Sequence, residues 1–144
     1  MKNFENITNE GQLLAIILYA DFEKDGITFF TTDDFSQQLG YMKRPSGYVI
    51  MPHRHNIVTR QVMQTQEVLF IKSGVVRVDF YCDNQKYLWS KIIKRGDVIL
   101  LASGGHGFEM IEEAEIIEVK QGPYLDELDK VRFEHIGDKK IIIK

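Results

Sequence analysis

The chain has 144 residues, 44% of them apolar, with 18 basic against 21 acidic side chains and a net charge of −3. That length fits one domain burying about 70% of its unfolded surface without help from a disulfide or structural metal, and a single cysteine, Cys82, excludes an internal disulfide. Near-neutral charge without a basic stripe argues against a nucleic-acid surface and leaves small molecules or protein as partners. No apolar run approaches the roughly 18 residues of a membrane helix. Met1 to Gln12 lacks the apolar core and cleavage site of a secretory signal, so a cytoplasmic protein with a reduced thiol is expected.

In chain order, Leu13 to Ala20 reads as a strand in preference to a helix capped by Asn9, because a turn-like Asp21 to Gly26 leads into the β-rich Ile27 to Thr31. Thr32 to Ser46 reads as a connecting loop with at most one helical turn. Gly47 to His55 and Val58 to Lys72 read as extended runs, the second long enough to carry a bulge. Ser73-Gly74 marks a tight turn, and Val76, Val78, Phe80 and Cys82 then alternate with Val75, Arg77, Asp79 and Tyr81, the clearest period-2 strand. Further strands are expected at Lys86 to Ile93, Val98 to Ala102, Phe108 to Ile111 and Glu115 to Gln121. A helical turn is expected at Asp126 to Val131 and a terminal strand at Ile141 to Ile143. Short strands with Gly-centred turns predict an all-β sandwich or barrel in a single domain over 1–144, with N-terminal strands and loop in 1–46, a motif-bearing barrel in 47–121 and an extension in 122–144.

Two of the four histidines form His53-Arg54-His55, and residues two apart on a strand share a face, so both imidazoles can address one ligand. Gly47 precedes His53 by six positions, and Glu67 precedes Gly74 by seven. Downstream, Gly96 and five residues lead to Ala102-Ser103-Gly104-Gly105-His106. These two segments resemble the paired motifs of the cupin superfamily, small jelly-roll β-barrels that commonly hold one divalent metal in the barrel mouth. Here Ala102 replaces the second motif's proline and His106 comes one residue early. The first motif also carries eleven residues, Asn56 to Gln66, where the family has three or four. Either a bulge or loop absorbs the insertion and restores the family's ligand set, or the register shifts so that Gln61 and Met63 take the usual histidine positions.

The resemblance implies a metal set of His53, His55, Glu67 and His106, suited to Fe, Mn, Ni or Zn. The wider text, including Thr65 to Phe70, Gly104 to Glu109 and Glu118 to Tyr124, looks like single-domain cupins associated with surface-polysaccharide and modified-sugar biosynthesis. That likeness implies isomerisation or epimerisation of a sugar or nucleotide-sugar, with His53, His55 and Glu109 as candidate catalytic groups. Arg60 and Lys72 are candidate anion ligands, Tyr48 and Tyr124 candidate ligand contacts, and the glycines around His106 allow close backbone approach to a ligand. A metal-free isomerase with a rim histidine as base and a non-catalytic ligand-binding module are the rival readings. A homodimer is expected from the family and from two strands that look spare, Leu13 to Ala20 and Ile141 to Ile143.

Overall fold

The computed structural model describes residues 3–144. The fold is all-β and antiparallel. β1 (Phe4–Asn9) and β2 (Gln12–Leu18) form a hairpin, whose two-residue turn, Glu10-Gly11, has positive φ at both positions (49° and 81°), the geometry that matches strand twist. β1 escaped the sequence reading because it is an edge strand of mostly polar text in which only Ile7 is buried. β2 is a strand, as expected, but not a spare one: it lies between β1 and the strand Val98–Leu101.

A second hairpin, β3 (Gly26–Phe29) with β4 (Gly40–Lys43), stands apart, and β4 falls inside the stretch expected to be loop. β5 (Glu67–Ser73), β6 (Val75–Tyr81), β7 (Tyr87–Lys94), β8 (Val98–Leu101), β9 (Gly105–Met110) and β10 (Glu115–Lys120) follow. They complete a five-stranded sheet, β1-β2-β8-β5-β10, and a three-stranded sheet, β7-β6-β9; neither closes into a barrel. The β5–β6 turn requires Gly74, with φ 86°, because a Cβ there would stand 2.7 Å from Ala114 Cα.

Alternation of side chains assigns the faces. Ile17, Leu69, Ile71, Ile99 and Leu101 of the large sheet pack against Val76, Val78, Phe80 and Ile93 of the small one, forming a single core between the sheets. The opposite parity on the large sheet, Ile16, Val68 and Leu100, is covered by Phe30, Phe35 and Leu39 from the β3–β4 region. The turn before β8 is tied by buried Asp97, whose carboxylate accepts the amides of Ala20 and Lys94, each at 2.8 Å.

The outer face of the small sheet is covered by the C-terminal segment. A short 3₁₀ turn, Asp126–Asp129, stands where a helical turn was expected. The terminal strand reduces to one parallel bridge, Ser90 with Ile143. Beneath it Arg77 donates to Asp79 through Nε (2.8 Å) and Nη2 (3.2 Å) and pairs with Glu109 (2.7 Å) and Asp138 (3.4 Å), while Ser90 Oγ donates to Asp79. The tail amides of Ile136 and Ile142 donate to the hydroxyls of Tyr81 and Tyr87, each at 3.0 Å.

The principal departure from expectation is the segment 44–66. The run Gly47 to His55 and the first part of the run Val58 to Lys72, both read as extended, form no strand, and β5 begins only at Glu67. β-branched residues favour strands through contacts with neighbouring strands, and among the described residues no strand pairs with this segment. Neither register weighed from the sequence is formed.

Removing the guanidinium from the Arg77 cluster leaves the Asp79 carboxylate buried without its cation. Arg77→Ala is expected to cost about 3–5 kcal/mol in urea denaturation, whereas Glu109→Gln, at a half-exposed partner, is expected to cost about 1 kcal/mol or less. Equal losses in the two variants would contradict this ranking.

Candidate functional site

The five-stranded sheet is wider than the three-stranded one, and a cleft of about 1090 Å³ opens between them beside β9 and β10. Three strands position its floor. Glu67 opens β5 on the same face as the core residues Leu69 and Ile71. Glu118 of β10 shares the face of Ile116, which packs on that core. His106 of β9 stands opposite Phe80, on the face that carries Val78 and Phe80 inward. His106 Nε2 lies 3.9 Å from Glu67 Oε2, with side chains 29% and 17% exposed.

Burial acts on the two groups in opposite senses. Removal from water raises the Glu67 pKa, and the neighbouring Glu118 carboxylate raises it further. Burial lowers the His106 pKa, opposed by Glu118 and aided by Lys130. Both shifts run towards the neutral form, although Lys120 and Lys130 pull Glu67 back towards the carboxylate. Lys120, Lys130 and Arg132 also line the cleft, with Phe108 and Phe133 as apolar wall.

His53 and His55, the first half of the expected set, lie in the exposed 44–66 segment, their rings 5.3 Å apart and His53 Nδ1 3.0 Å from the carbonyl of Met51. Among the described residues no three His, Cys, Asp or Glu side chains are grouped to hold a metal. Of the set His53, His55, Glu67 and His106, one chain thus brings only Glu67 and His106 together. The donors of a single chain do not fit the expected metal.

The remaining candidates scatter. Glu109 points to the other face of β9 from His106, against Arg77. Lys72 pairs with Glu115 at 3.0 Å on the exposed side of the large sheet. Tyr48 and Arg60 lie in the 44–66 segment, where the Arg44 guanidinium stacks 4.6 Å over the Tyr48 ring. Tyr124 is exposed beside the cleft lining. Packing requires glycine at 104, whose φ is 71° and where a Cβ would stand 2.7 Å from Leu14 Cδ2 and 2.8 Å from the Tyr81 carbonyl oxygen; with Gly105 and Gly107 it also lines the cleft. Cys82, read as a core residue, is half-buried in the cleft wall.

Glu118, Lys120 and Lys130 were not singled out from sequence. The first two carry a readable signal, since Glu118 and Lys120 share the parity of Ile116 in an alternating strand. Lys130 has none, because its position depends on the path of the irregular tail. No family model, curated protein or solved structure matches the chain. Among the described residues no helix is long and apolar enough to cross a membrane.

The lowered pKa of His106 has a thermodynamic consequence. Between its folded value and the ordinary 6.5 the unfolded chain binds the extra proton, so this residue's contribution is present above pH 6.5 and is lost as pH falls towards the folded value. Melting temperature measured against pH is expected to fall less steeply below 6.5 for His106→Gln than for the wild type. Parallel curves would contradict burial of a neutral imidazole.

Proposed function

We propose that this chain is a cupin-type jelly-roll protein whose cleft isomerises or epimerises a sugar or nucleotide-sugar by proton transfer beside a carbonyl. The observation that carries this reading is the apposition of Glu67 and His106 at 3.9 Å in a large cleft, with burial favouring the acid form of one and the base form of the other. Paired titratable groups driven apart in this way divide the two roles that enolisation needs.

The unprotonated His106 takes the proton from the carbon next to the carbonyl while Glu67 gives its proton to the carbonyl oxygen, producing an enol. In isomerisation of an α-hydroxy ketone, the His106 imidazolium gives its proton to the former carbonyl carbon while the neighbouring hydroxyl gives its proton to Glu67 and becomes the new carbonyl. In epimerisation the same carbon regains a proton on its opposite face while the enol hydroxyl returns its proton to Glu67. Lys120, Lys130 and Arg132 give the cleft a cationic side that suits the phosphates of a nucleotide-sugar. The choice of sugar over other carbonyl compounds is supported by the resemblance in the text around Glu67, His106 and Glu118.

Incubation with a panel of nucleotide-linked keto-sugars in deuterated water, followed by NMR, tests the reading. Deuterium is expected to enter beside the carbonyl, and Glu67→Gln and His106→Ala are each expected to slow this by about 10²–10⁴-fold. Binding of a panel member without exchange or conversion would replace the enzyme by a ligand-binding module.

A further inference from the structure

We infer that the 44–66 segment is an arm exchanged with a second copy of this chain, so that each cleft is walled by the partner's arm and receives histidines 53 and 55 from it. The inference takes the cleft above as the working site, but its evidence is independent of any reaction.

The first observation is the state of the arm. Val49, Ile50, Met51, Ile57, Val58 and Met63 are all exposed, Ile57 completely. A folded monomer rarely leaves so much contiguous apolar surface in water. The text is nonetheless strand-like, with β-branched and aromatic residues running from Tyr48 to Val62. The arm leaves the sheets at Lys43 of β4; on its return Val62 to Thr65 line the rim of the chain's own cleft, and buried Gln66 leads into Glu67 of β5. An out-and-back ribbon of these 23 residues reaches about 35 Å at strand rise, enough to cross an interface.

The second observation is where partners are lacking. β9 and β10 are edge strands, one in each sheet, and both flank the cleft. Their outer backbone groups form two templates facing the same opening. A two-stranded ribbon laid there pairs one strand with β9 and the other with β10, and bridges the sheets on the side that stands open.

The third observation is charge. The arm contains Arg44, Arg54 and Arg60 and no Asp or Glu, so the rest of the chain holds 15 basic against 21 acidic residues. The β9–β10 region, 105–120, holds five glutamates against the single Lys120; Glu109 and Glu115 are paired with Arg77 and Lys72, and Glu112, Glu113 and Glu118 carry the remaining negative charge. Arm and edge are complementary, which orients their meeting and disfavours arm against arm. A two-fold axis lets both copies exchange arms at once, so each chain satisfies two edges and covers one apolar arm. This replaces the spare-strand argument for a dimer, since β2 is internal and Ile143 is bridged to Ser90.

Sedimentation velocity and hydrogen–deuterium exchange on the full chain test the exchange of arms. The wild type is expected to sediment as a dimer, with amides in 47–62 and along β9 and β10 protected at least tenfold over free-chain rates. Ile57→Asp combined with Val58→Asp, both exposed in the single chain, is expected to give a monomer whose arm exchanges freely while β2, β6 and β8 keep their protection. A monomeric wild type, with its arm free or protected by folding back, would overturn the inference, as would a dimer whose arm exchanges at free-chain rates or persists unchanged in the double variant. None of these readouts involves turnover, so the exchange of arms and the proton-transfer reading fail separately.

Discussion

One constraint governs the molecule: a single apolar core must be shared by a five-stranded sheet and a three-stranded sheet. Ile17, Leu69, Ile71 and Ile99 on one side and Val76, Val78, Phe80 and Ile93 on the other fill the space between them, and this burial supplies the main driving force for folding. Sheets of unequal width cannot match along both margins. The mismatch falls beside β9 and β10, and there the inward-facing positions of the strands pass from apolar residues to Glu67, Glu118 and His106. The cleft is thus a continuation of the core in which the alternating positions have turned polar.

The same face assignment accounts for the chemistry. A carboxyl and an imidazole at the margin of a core lose hydration without gaining a full complement of partners, so each drifts towards its uncharged form. The outer face of β6 and β9 shows the opposite solution. There Arg77 is surrounded by Asp79, Glu109 and Asp138 under the C-terminal segment, and the charges are retained because they are paired. Glu109 and His106 are only three residues apart, yet the strand places one in a structural ion cluster and the other in the cleft.

Much of this was legible in the text. The alternation from Val75 to Tyr81 locates β6, the Ser73-Gly74 turn locates the strand before it, and the motif resemblance singles out Glu67 and His106, which the fold brings together in the cleft. β1 was hidden because an edge strand with one buried residue has no apolar period. The arm misled for a different reason: its residues have strand preference, but preference becomes a strand only where a partner edge is in reach. Glu109 was misplaced because a β9 beginning at Phe108 gives no sense of which parity faces His106, and Lys130 because irregular tails carry no periodicity.

Burial disfavours protonation of His106 next to Glu67. This is tested most directly by NMR titration of the His106 ring in the intact protein, assigned by comparison with His106→Gln. A midpoint below 6.5, shifted by Glu67→Gln, is expected. A midpoint at or above 6.5, indifferent to residue 67, would contradict it.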